Sequence, residues 1–160
     1  IVVIFMPLPI NSPAPNFSLK DKDGVLHNSS KIKSKFLVLY FYPKDNTPGC
    51  TIEAIHFTKE MNQFTKMGAV ILGVSPDNVK SHCHFIKKQK LKLELLSDEK
   101  KTVLKKYKVW GKKKFMRHEY MGVLRTTLLI DPAGKIAHVW PEVKVLGHAR
   151  EVLKKLKELR

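Results

Sequence analysis

The clearest pattern in the chain is a pair of continuous apolar segments with a helical repeat between them. Phe36–Tyr42 and Ala69–Ser75 are β-favouring apolar runs, which is typical of strands buried on both faces. The segment between them carries apolar residues at helical spacing, at Ala54, Phe57, Met61 and Phe64. A strand, a helix and a second strand within about 40 residues predict a βαβ unit, and therefore two parallel strands joined by a right-handed crossover.

The remaining periodic segments predict shorter elements on either side of this unit. Strands are predicted at Phe17–Leu19, Val25–His27, Thr126–Ile130 and Ile136–Trp140, with a strand or a turn at Leu91–Leu96. Helices are predicted at Val79–Lys88, Glu99–Lys106 and Gly147–Arg160, and a basic loop at Lys108–Arg125. The inner side of the last helix is predicted to consist of Ala149, Val152, Leu153, Leu156 and Leu159. This alternation predicts an α/β fold with an N-terminal hairpin closed by Asp21–Gly24.

The length of the chain fits one domain. We expect this domain over residues 13–160, preceded by a proline-rich, extended lead-in over residues 1–12. Ile1–Phe5 is apolar but lacks the basic start and the cleavage site of a signal peptide, and Met6 follows it. We therefore expect Ile1–Phe5 to be a remnant of upstream translation. No segment approaches the roughly 20 apolar residues of a membrane span.

The composition describes a globular protein with a large positive charge. Apolar residues make up 43% of the 160 residues and charged residues 28%, a balance that excludes a disordered chain. The formal net charge of +16 fits binding to nucleic acid or to another anionic surface, and equally a basic proteome. The two cysteines, Cys50 and Cys83, are too few for a disulfide framework, so we predict a reducing compartment and a cytoplasmic location.

Cys50 stands where the pattern predicts the first turn of the helix after Phe36–Tyr42. Backbone N–H groups there lack intrahelical partners and the helix dipole adds partial positive charge, so a thiolate is stabilised at such a position. The hydroxyl of Thr47, three residues upstream, is placed to donate to the sulfur or to a substrate oxygen. Pro48 and Gly49 fix the entry of the chain into the helix. The same pattern is also typical of a small buried cysteine that begins an ordinary helix, and spacing alone leaves both interpretations open.

A motif around Cys50 favours the reactive thiol. Pro43-x-x-x-Thr47-x-x-Cys50 resembles the active-site signature of the peroxiredoxins. The longer run Phe41–Thr51 resembles the peroxiredoxin Q, or bacterioferritin comigratory protein, subfamily. Further segments resemble the same subfamily in the same order: Ala14–Leu19, Leu96–Asp98, Lys108–Gly111 and Arg125–Asp131. The resemblance runs from about Pro13 to the end of the chain.

This resemblance implies a thioredoxin-like fold, with a central mixed β-sheet flanked by helices, and a thiol-dependent peroxidase. Cys50 is then the peroxidatic cysteine, whose thiolate attacks a peroxide and becomes a sulfenic acid. Thr47 and Arg125 stabilise the leaving oxygen together with the Cys50 N–H group, and Pro43 shapes the loop and shields the sulfur. No metal or other cofactor is implied, because sulfur carries out the redox chemistry. The implied partners are hydrogen peroxide and alkyl hydroperoxides, with thioredoxin or another thiol as reductant, and the implied state is a monomer.

The chain departs from the subfamily at position 55, where many members carry a resolving cysteine and this sequence has Ile55. Cys83 falls on the following helix, where some members place a resolving cysteine. However, Val79, Cys83 and Ile86 share one apolar stripe, so Cys83 is alternatively a core residue and an external thiol such as glutathione resolves Cys50. A Cys50–Cys83 disulfide needs Cα atoms within about 7 Å, which predicts local unwinding near Cys50 on oxidation.

Two histidine patterns suggest rival functions. His82, Cys83 and His84 have the side chains of metal ligands, but adjacent residues of a helix point about 100° apart. We therefore expect surface histidines. His56 and Cys50 suggest the pair of a cysteine protease, but no residue at a recognisable spacing orients such a pair.

The basic runs Lys87–Lys92 and Lys112–Lys114 support a rival function in nucleic-acid binding. Tyr107, Trp110 and Phe115 flank the second run, and basic residues mixed with aromatic ones are typical of a single-stranded nucleic-acid groove. The resemblance accounts for Trp110 and Phe115 as subfamily residues, so we expect a solvated basic surface, and nonspecific nucleic acid is the less favoured partner. A general thiol–disulfide oxidoreductase is a further alternative, which the lack of a Cys-x-x-Cys motif weakens.

Overall fold

A computed structural model describes residues 7–32 and 35–160, so the expectation for Ile1–Phe5 lies outside the described residues. The strands are β1 (Ser18–Lys20), β2 (Leu26–Asn28), β3 (Phe36–Phe41), β4 (Ala69–Ser75), β5 (Glu94–Ser97), β6 (Trp110–Phe115), β7 (His118–Val123), β8 (Thr126–Ile130) and β9 (Ile136–Trp140). The helices are α1 (Pro48–Lys66), α2 (Val79–Gln89), α3 (Thr102–Lys106) and α4 (His148–Leu159), with a short 3-10 helix at Ser29–Ile32.

Within the described residues, seven strands form one mixed sheet in the order β2-β1-β5-β4-β3-β8-β9. β3, β4 and β5 are parallel, whereas β8, β9 and the β1–β2 hairpin pair antiparallel with their neighbours. The predicted βαβ unit is therefore confirmed as β3-α1-β4. The predicted N-terminal hairpin and the hairpin of β8 and β9 are confirmed as well.

The sheet separates two apolar clusters. Helices α1, α2 and α4 pack on one face, where Tyr40, Phe57 and Phe85 are buried together. Helix α3 and the segment around Phe17 cover the other face, against Leu39. Because both faces of the central strands are covered, β3 and β4 require apolar side chains at successive positions, which accounts for the continuous runs in the sequence.

The sheet register places two distant parts of the chain at the same end of the central strands. β3 ends at Phe41, and the chain continues through the loop Pro43–Thr47, called here the 43–47 loop, into α1. β8 runs antiparallel beside β3, and its first residue, Thr126, pairs with Phe41. The residue before β8, Arg125, therefore lies at the end of the sheet from which the 43–47 loop leaves.

The predicted basic loop over Lys108–Arg125 is wrong, because most of it forms a separate two-stranded sheet. β6 and β7 pair antiparallel, with Trp110 opposite Val123 and Lys114 opposite Glu119. Most side chains of this hairpin are exposed or half-buried. Neither face excludes water, so the alternation of apolar and polar residues that indicates a strand is absent from the sequence.

The start of α3 and the buried side of α4 also differ from the prediction. α3 begins at Thr102 rather than Glu99, because Lys101 has a left-handed backbone with φ +61°. The carboxylate of Asp98 accepts the N–H of Leu104, which also fixes the start of this helix. Leu159 ends α4 and is 42% exposed, so the predicted inner side of that helix stops at Leu156.

His148 is buried in the first turn of α4. Its Nε2 lies 2.8 Å from Oγ1 of Thr127, and its ring packs edge-on against Phe57 and Trp140. Burial, with a further contribution from the positive charge of Arg125, lowers the pKa of His148 to about 4. The folded chain therefore favours neutral His148.

Acid is expected to destabilise the fold through His148. An unfolded histidine has a pKa of about 6.5, so the stability that neutral His148 contributes is fully present above that pH and is lost as the pH falls toward 4. Between pH 7 and pH 4 the free energy of unfolding should fall by about 3 kcal/mol more in the wild type than in His148→Gln, whose side chain does not titrate. Urea unfolding of both chains across this range measures the difference. Parallel pH dependences would contradict it.

Candidate active site

The 43–47 loop delivers Cys50 to the first turn of α1, as predicted. Pro48 occupies the first helical position, where its fixed φ suits a helix and its missing N–H is not needed. Thr47 has the extended backbone of an N-cap residue, and its hydroxyl donates to the carbonyl of Lys44 at 2.7 Å. The loop is thus closed by its own hydrogen bond just before the helix.

The guanidinium of Arg125 lies against the sulfur of Cys50, which is 1% exposed. Nη2 donates to Sγ at 3.3 Å, and Nη1 donates to Oε1 of Glu53 at 2.8 Å. Cys50 and Glu53 are three residues apart on α1, so one guanidinium spans two side chains on the same face of the helix. The structure therefore brings together the predicted pair Cys50 and Arg125, 75 residues apart in the chain.

Gly49 makes room for this guanidinium. A Cβ atom at position 49 would stand 3.2 Å from Nη2 of Arg125. Any larger residue would crowd the group that contacts the sulfur. The glycine of the motif thus has a steric reason that the sequence alone did not show.

Glu53 is the site residue that sequence reasoning missed. It is buried, and this burial raises the pKa of Glu53 to about 7 although the charge of Arg125 acts in the opposite direction. Burial also disfavours the charge of Arg125, but Glu53 and Cys50 outweigh it, so the pKa of Arg125 is raised and the group stays cationic. One feature of the sequence could have identified Glu53: it is an acidic residue next to Ala54, on the core-facing side of the predicted helix.

Two buried polar atoms close to this pair lack a hydrogen-bond partner among residues 7–32 and 35–160. They are the hydroxyl of Tyr40 and Oε2 of Glu53. Burial raises the pKa of Tyr40 well above its ordinary range, and the negative charges of Glu53 and Cys50 add to the shift. Unpaired buried polar groups are costly, so their presence beside Cys50 and Arg125 indicates a functional role for this part of the core.

The prediction of surface histidines is wrong for His82 and correct for His84. His82 is fully buried, and its Nδ1 lies 2.7 Å from Oδ2 of Asp45 in the 43–47 loop. His84 is exposed and Cys83 is half-buried. A histidine can enter a core when both ring nitrogens find partners, and here the partners come from other elements, which the local pattern does not reveal.

Among residues 7–32 and 35–160, two groups of side chains offer the ligand types that metal ions use, with ligand atoms within 4.8 Å of one another. They are Asp21, His27 and Glu94, and Asp45, Asp77 and His82. In each group a histidine nitrogen lies within hydrogen-bond distance of an aspartate, at 2.8 Å and 2.7 Å respectively. The histidine of each group is therefore already paired within the protein.

The aromatic residues of the hypothetical nucleic-acid groove do not share a surface. Tyr107 is buried, and its hydroxyl donates to the carbonyl of Pro15. Trp110 is half-buried under the ammonium group of Lys101, whereas Phe115 is 67% exposed. Successive bases need neighbouring exposed rings for stacking, so this arrangement weakens the nucleic-acid hypothesis.

Comparison with known families identifies this arrangement. Residues 10–139 match the model of the AhpC/TSA family. The chain belongs to the AhpC/TSA family. It is 44% identical to a Helicobacter pylori protein described as a putative peroxiredoxin bcp, over 93% of this chain and 98% of the relative.

Solved structures give the same result. A Xylella fastidiosa PrxQ variant has a TM-score of 0.90 at 39% identity, over 94% of this chain and 96% of that one. Xanthomonas campestris peroxiredoxin Q has a TM-score of 0.85 at 39% identity, over 89% and 90%. The predicted thioredoxin-like fold and the resemblance to the peroxiredoxin Q subfamily are confirmed, and the protein is a thiol-dependent peroxidase. Among the described residues, no helix is long and apolar enough to cross a membrane.

Replacement of Glu53 by glutamine is expected to slow the oxidation of Cys50 by peroxide roughly tenfold or more, because a hydrogen bond between charged groups is worth about 1.5–3 kcal/mol. Glu53 has a pKa of about 7, so its ion pair with Arg125 forms as the pH rises through 7. The wild-type rate constant should therefore rise there more steeply than that of Glu53→Gln. Stopped-flow oxidation at several pH values measures both.

The matched control for this experiment is Glu60→Gln. Glu60 lies on the same helix and pairs with the exposed Arg150 at 3.4 Å, outside the site. This variant should keep the wild-type rate constant and pH profile. Equal behaviour of the two glutamine variants would mean that Glu53 does not support Arg125.

Proposed function

We propose that Cys50 is the peroxidatic residue, and that Arg125 holds the thiolate and the peroxide together. The observation that carries this proposal is the 3.3 Å contact between Nη2 of Arg125 and Sγ of Cys50 in a buried setting. The thiolate attacks the terminal peroxide oxygen, so an S–O bond forms and the O–O bond breaks. Cys50 becomes a sulfenic acid, and the leaving alkoxide or hydroxide takes a proton to become an alcohol or water.

Other residues around Cys50 stabilise the leaving oxygen, bind the peroxide and restrict the loop. The leaving oxygen is an anion, and the guanidinium of Arg125 and the unpaired N–H of Cys50 are donors suited to it. The hydroxyl of Thr47 already donates to Lys44, and its oxygen keeps lone pairs with which to accept a hydrogen bond from the O–H group of the peroxide. Pro43 is half-buried directly after β3, where it restricts the loop and limits the access of water. Glu53 orients Arg125 without touching the substrate.

A relative supports the substrate class. The bacterioferritin comigratory protein of Xanthomonas campestris has been solved in trapped-intermediate and ligand complexes that concern its alkyl peroxide reduction activity. We therefore propose both hydrogen peroxide and alkyl hydroperoxides as substrates of this chain.

Arg125→Lys is expected to lower the rate constant for Cys50 oxidation by about 100-fold, because a single ammonium group cannot contact Sγ and Glu53 at once. Cys50→Ser should consume no peroxide. Arg150→Lys, in an exposed ion pair of the same type, is the control and should match the wild type. Peroxide consumption with a thiol reductant measures all three variants. Turnover by Cys50→Ser would overturn the proposal.

We further propose that Cys83 resolves the sulfenic acid. Cys83 is half-buried on α2, and the preceding residue, His82, contacts Asp45 of the 43–47 loop. Helix α2 therefore lies next to the loop that leads to Cys50. The thiol of Cys83 would attack the sulfenic sulfur, forming a disulfide and releasing water, and thioredoxin would reduce that disulfide by exchange.

A comparison of cysteine spacing bears on this proposal. Solved structures of the Xanthomonas campestris protein include two variants, each with a different cysteine replaced by serine. Those two cysteines are separated by three residues more than Cys50 and Cys83 are in this chain. Counted from Cys50, the second thiol of this chain thus comes almost one helical turn earlier. The external-thiol mechanism consequently stays the alternative, and a direct test separates the two.

One equivalent of peroxide is expected to yield a Cys50–Cys83 disulfide within a single chain, detected by peptide mapping. Cys83→Ser should keep the wild-type rate of Cys50 oxidation but accumulate sulfenic acid and lose turnover with thioredoxin. If the Cys83 thiol is still free in the oxidised wild type, Cys83 does not resolve the sulfenic acid and an external thiol does. Gel filtration of the chain before mapping tests the predicted monomeric state.

We also propose that the working unit is a single domain over residues 13–160 in a reducing, cytoplasmic setting. The chain has only two cysteines, too few for a disulfide framework, and this supports a reducing setting. The proposed electron donor, a thioredoxin, acts in the same setting.

A further inference from the structure

Asp45 is the one residue of the 43–47 loop whose side chain is sequestered, at 1% exposure. Its carboxylate accepts hydrogen bonds from the hydroxyls of Tyr42 at 2.7 Å and Ser81 at 2.8 Å. It also lies 2.7 Å from Nδ1 of His82. Ser81 and His82 both belong to α2, so this carboxylate ties the loop before Cys50 to a separate helix.

The second ring nitrogen of His82 also faces an acceptor. Nε2 lies 3.0 Å from the carbonyl oxygen of Leu96 on β5. A carbonyl can only accept, so Nε2 carries a proton, and Nδ1 faces a carboxylate that already accepts from two hydroxyls. Nδ1 lies within hydrogen-bond distance of the carboxylate of Asp45 and 3.4 Å from the hydroxyl of Tyr42. Asp45 and His82 thus make a buried hydrogen-bonded pair between the loop, α2 and β5.

The backbone of Asp45 is fixed as well. Its N–H donates to Oδ2 of Asp77 at 2.8 Å, and the same oxygen accepts from Oγ of Ser75 at 2.7 Å. Ser75 ends β4 and Asp77 precedes α2. The middle of the 43–47 loop is therefore attached, through its main chain and its side chain, to the end of β4 and to α2, neither of which carries Cys50, Thr47 or Arg125.

We propose that His82 is a positioning residue of the peroxidase, which acts through Asp45 to hold the 43–47 loop where Thr47 and Cys50 meet Arg125. The proposal rests on the proposed role of Cys50. Loss of either partner leaves the other buried polar group without its hydrogen bond, and the loop then moves to satisfy that group. Small displacements of reacting groups cost large factors in rate, so the oxidation of Cys50 depends on a histidine that does not touch the substrate.

The chain offers a matched control in a second aspartate–histidine pair. Nε2 of His27 lies 2.8 Å from Oδ2 of Asp21 in the β1–β2 hairpin, outside the proposed active site. His27→Gln removes the same chemistry from the hairpin. It should therefore reveal any effect that comes only from lost stability.

The test compares the wild type, His82→Gln, Asp45→Asn, their double variant and His27→Gln. Each chain is mixed with one equivalent of hydrogen peroxide below its unfolding temperature, and the loss of the Cys50 thiol is timed. His82→Gln and Asp45→Asn should each be slower by about tenfold or more, with His27→Gln within about twofold of the wild type. The double variant should be no slower than the slower single variant, because its two amides can bond to each other and neither is left without a partner.

Several outcomes would overturn the positioning role. His82→Gln at the wild-type rate would do so, and so would a double variant whose slowing is the product of the two single effects. If a single variant does not fold, the double variant, which leaves neither group without a partner, supplies the comparison with the wild type. Peroxide loss by the wild type without loss of the Cys50 thiol would instead refute the proposed function.

Discussion

The active site depends on one guanidinium that is held between two side chains of a single helix. Arg125 contacts the sulfur of Cys50 and the carboxylate of Glu53, and all three groups are largely removed from water. A buried cation needs nearby negative charge, and a buried carboxylate needs a cation, so Arg125 favours the ionised form of Glu53, while Glu53 and Cys50 raise the pKa of Arg125. The sulfur thus lies between a helix N-terminus and a cation, which is the setting that the proposed nucleophile requires.

The sheet makes this contact possible. β3 carries the chain to the start of α1, and β8 lies antiparallel beside it, with Thr126 opposite Phe41. Because packed strands in a covered sheet cannot slip without exposing their apolar faces, Arg125 is fixed relative to Cys50 by the register of two central strands. Outside the sheet and the helix, the site consists of the 43–47 loop, and the hydrogen-bonded pair of Asp45 and His82 ties that loop to α2.

Buried polar groups are concentrated at the carboxyl ends of the three parallel strands. Tyr40, Glu53, Asp45 and His82 all lie there, in a protein whose other core positions are mainly apolar. Places where a sequence departs from simple burial rules are often functional, and these residues surround the sulfur and its loop. Cys83 follows His82 directly, so the proposed resolving cysteine is adjacent in the chain to the residue that contacts the 43–47 loop.

The sequence by itself determined the central strands, α1, the place of Cys50 in its first turn and, through the motif, the pairing of Cys50 with Arg125. The strands, the helix and the place of Cys50 follow from local periodicity, whereas the pairing with Arg125 was implied only by the resemblance to the peroxiredoxins. Only the tertiary structure decided the burial of His82, the role of Glu53 and the β6–β7 hairpin. The hydrogen-bond partners of His82 and Glu53 lie far away in the chain, and the β6–β7 hairpin is exposed on both faces. The hydrophobic pattern of a sequence indicates how much each residue is buried, but not which distant group forms its hydrogen bond.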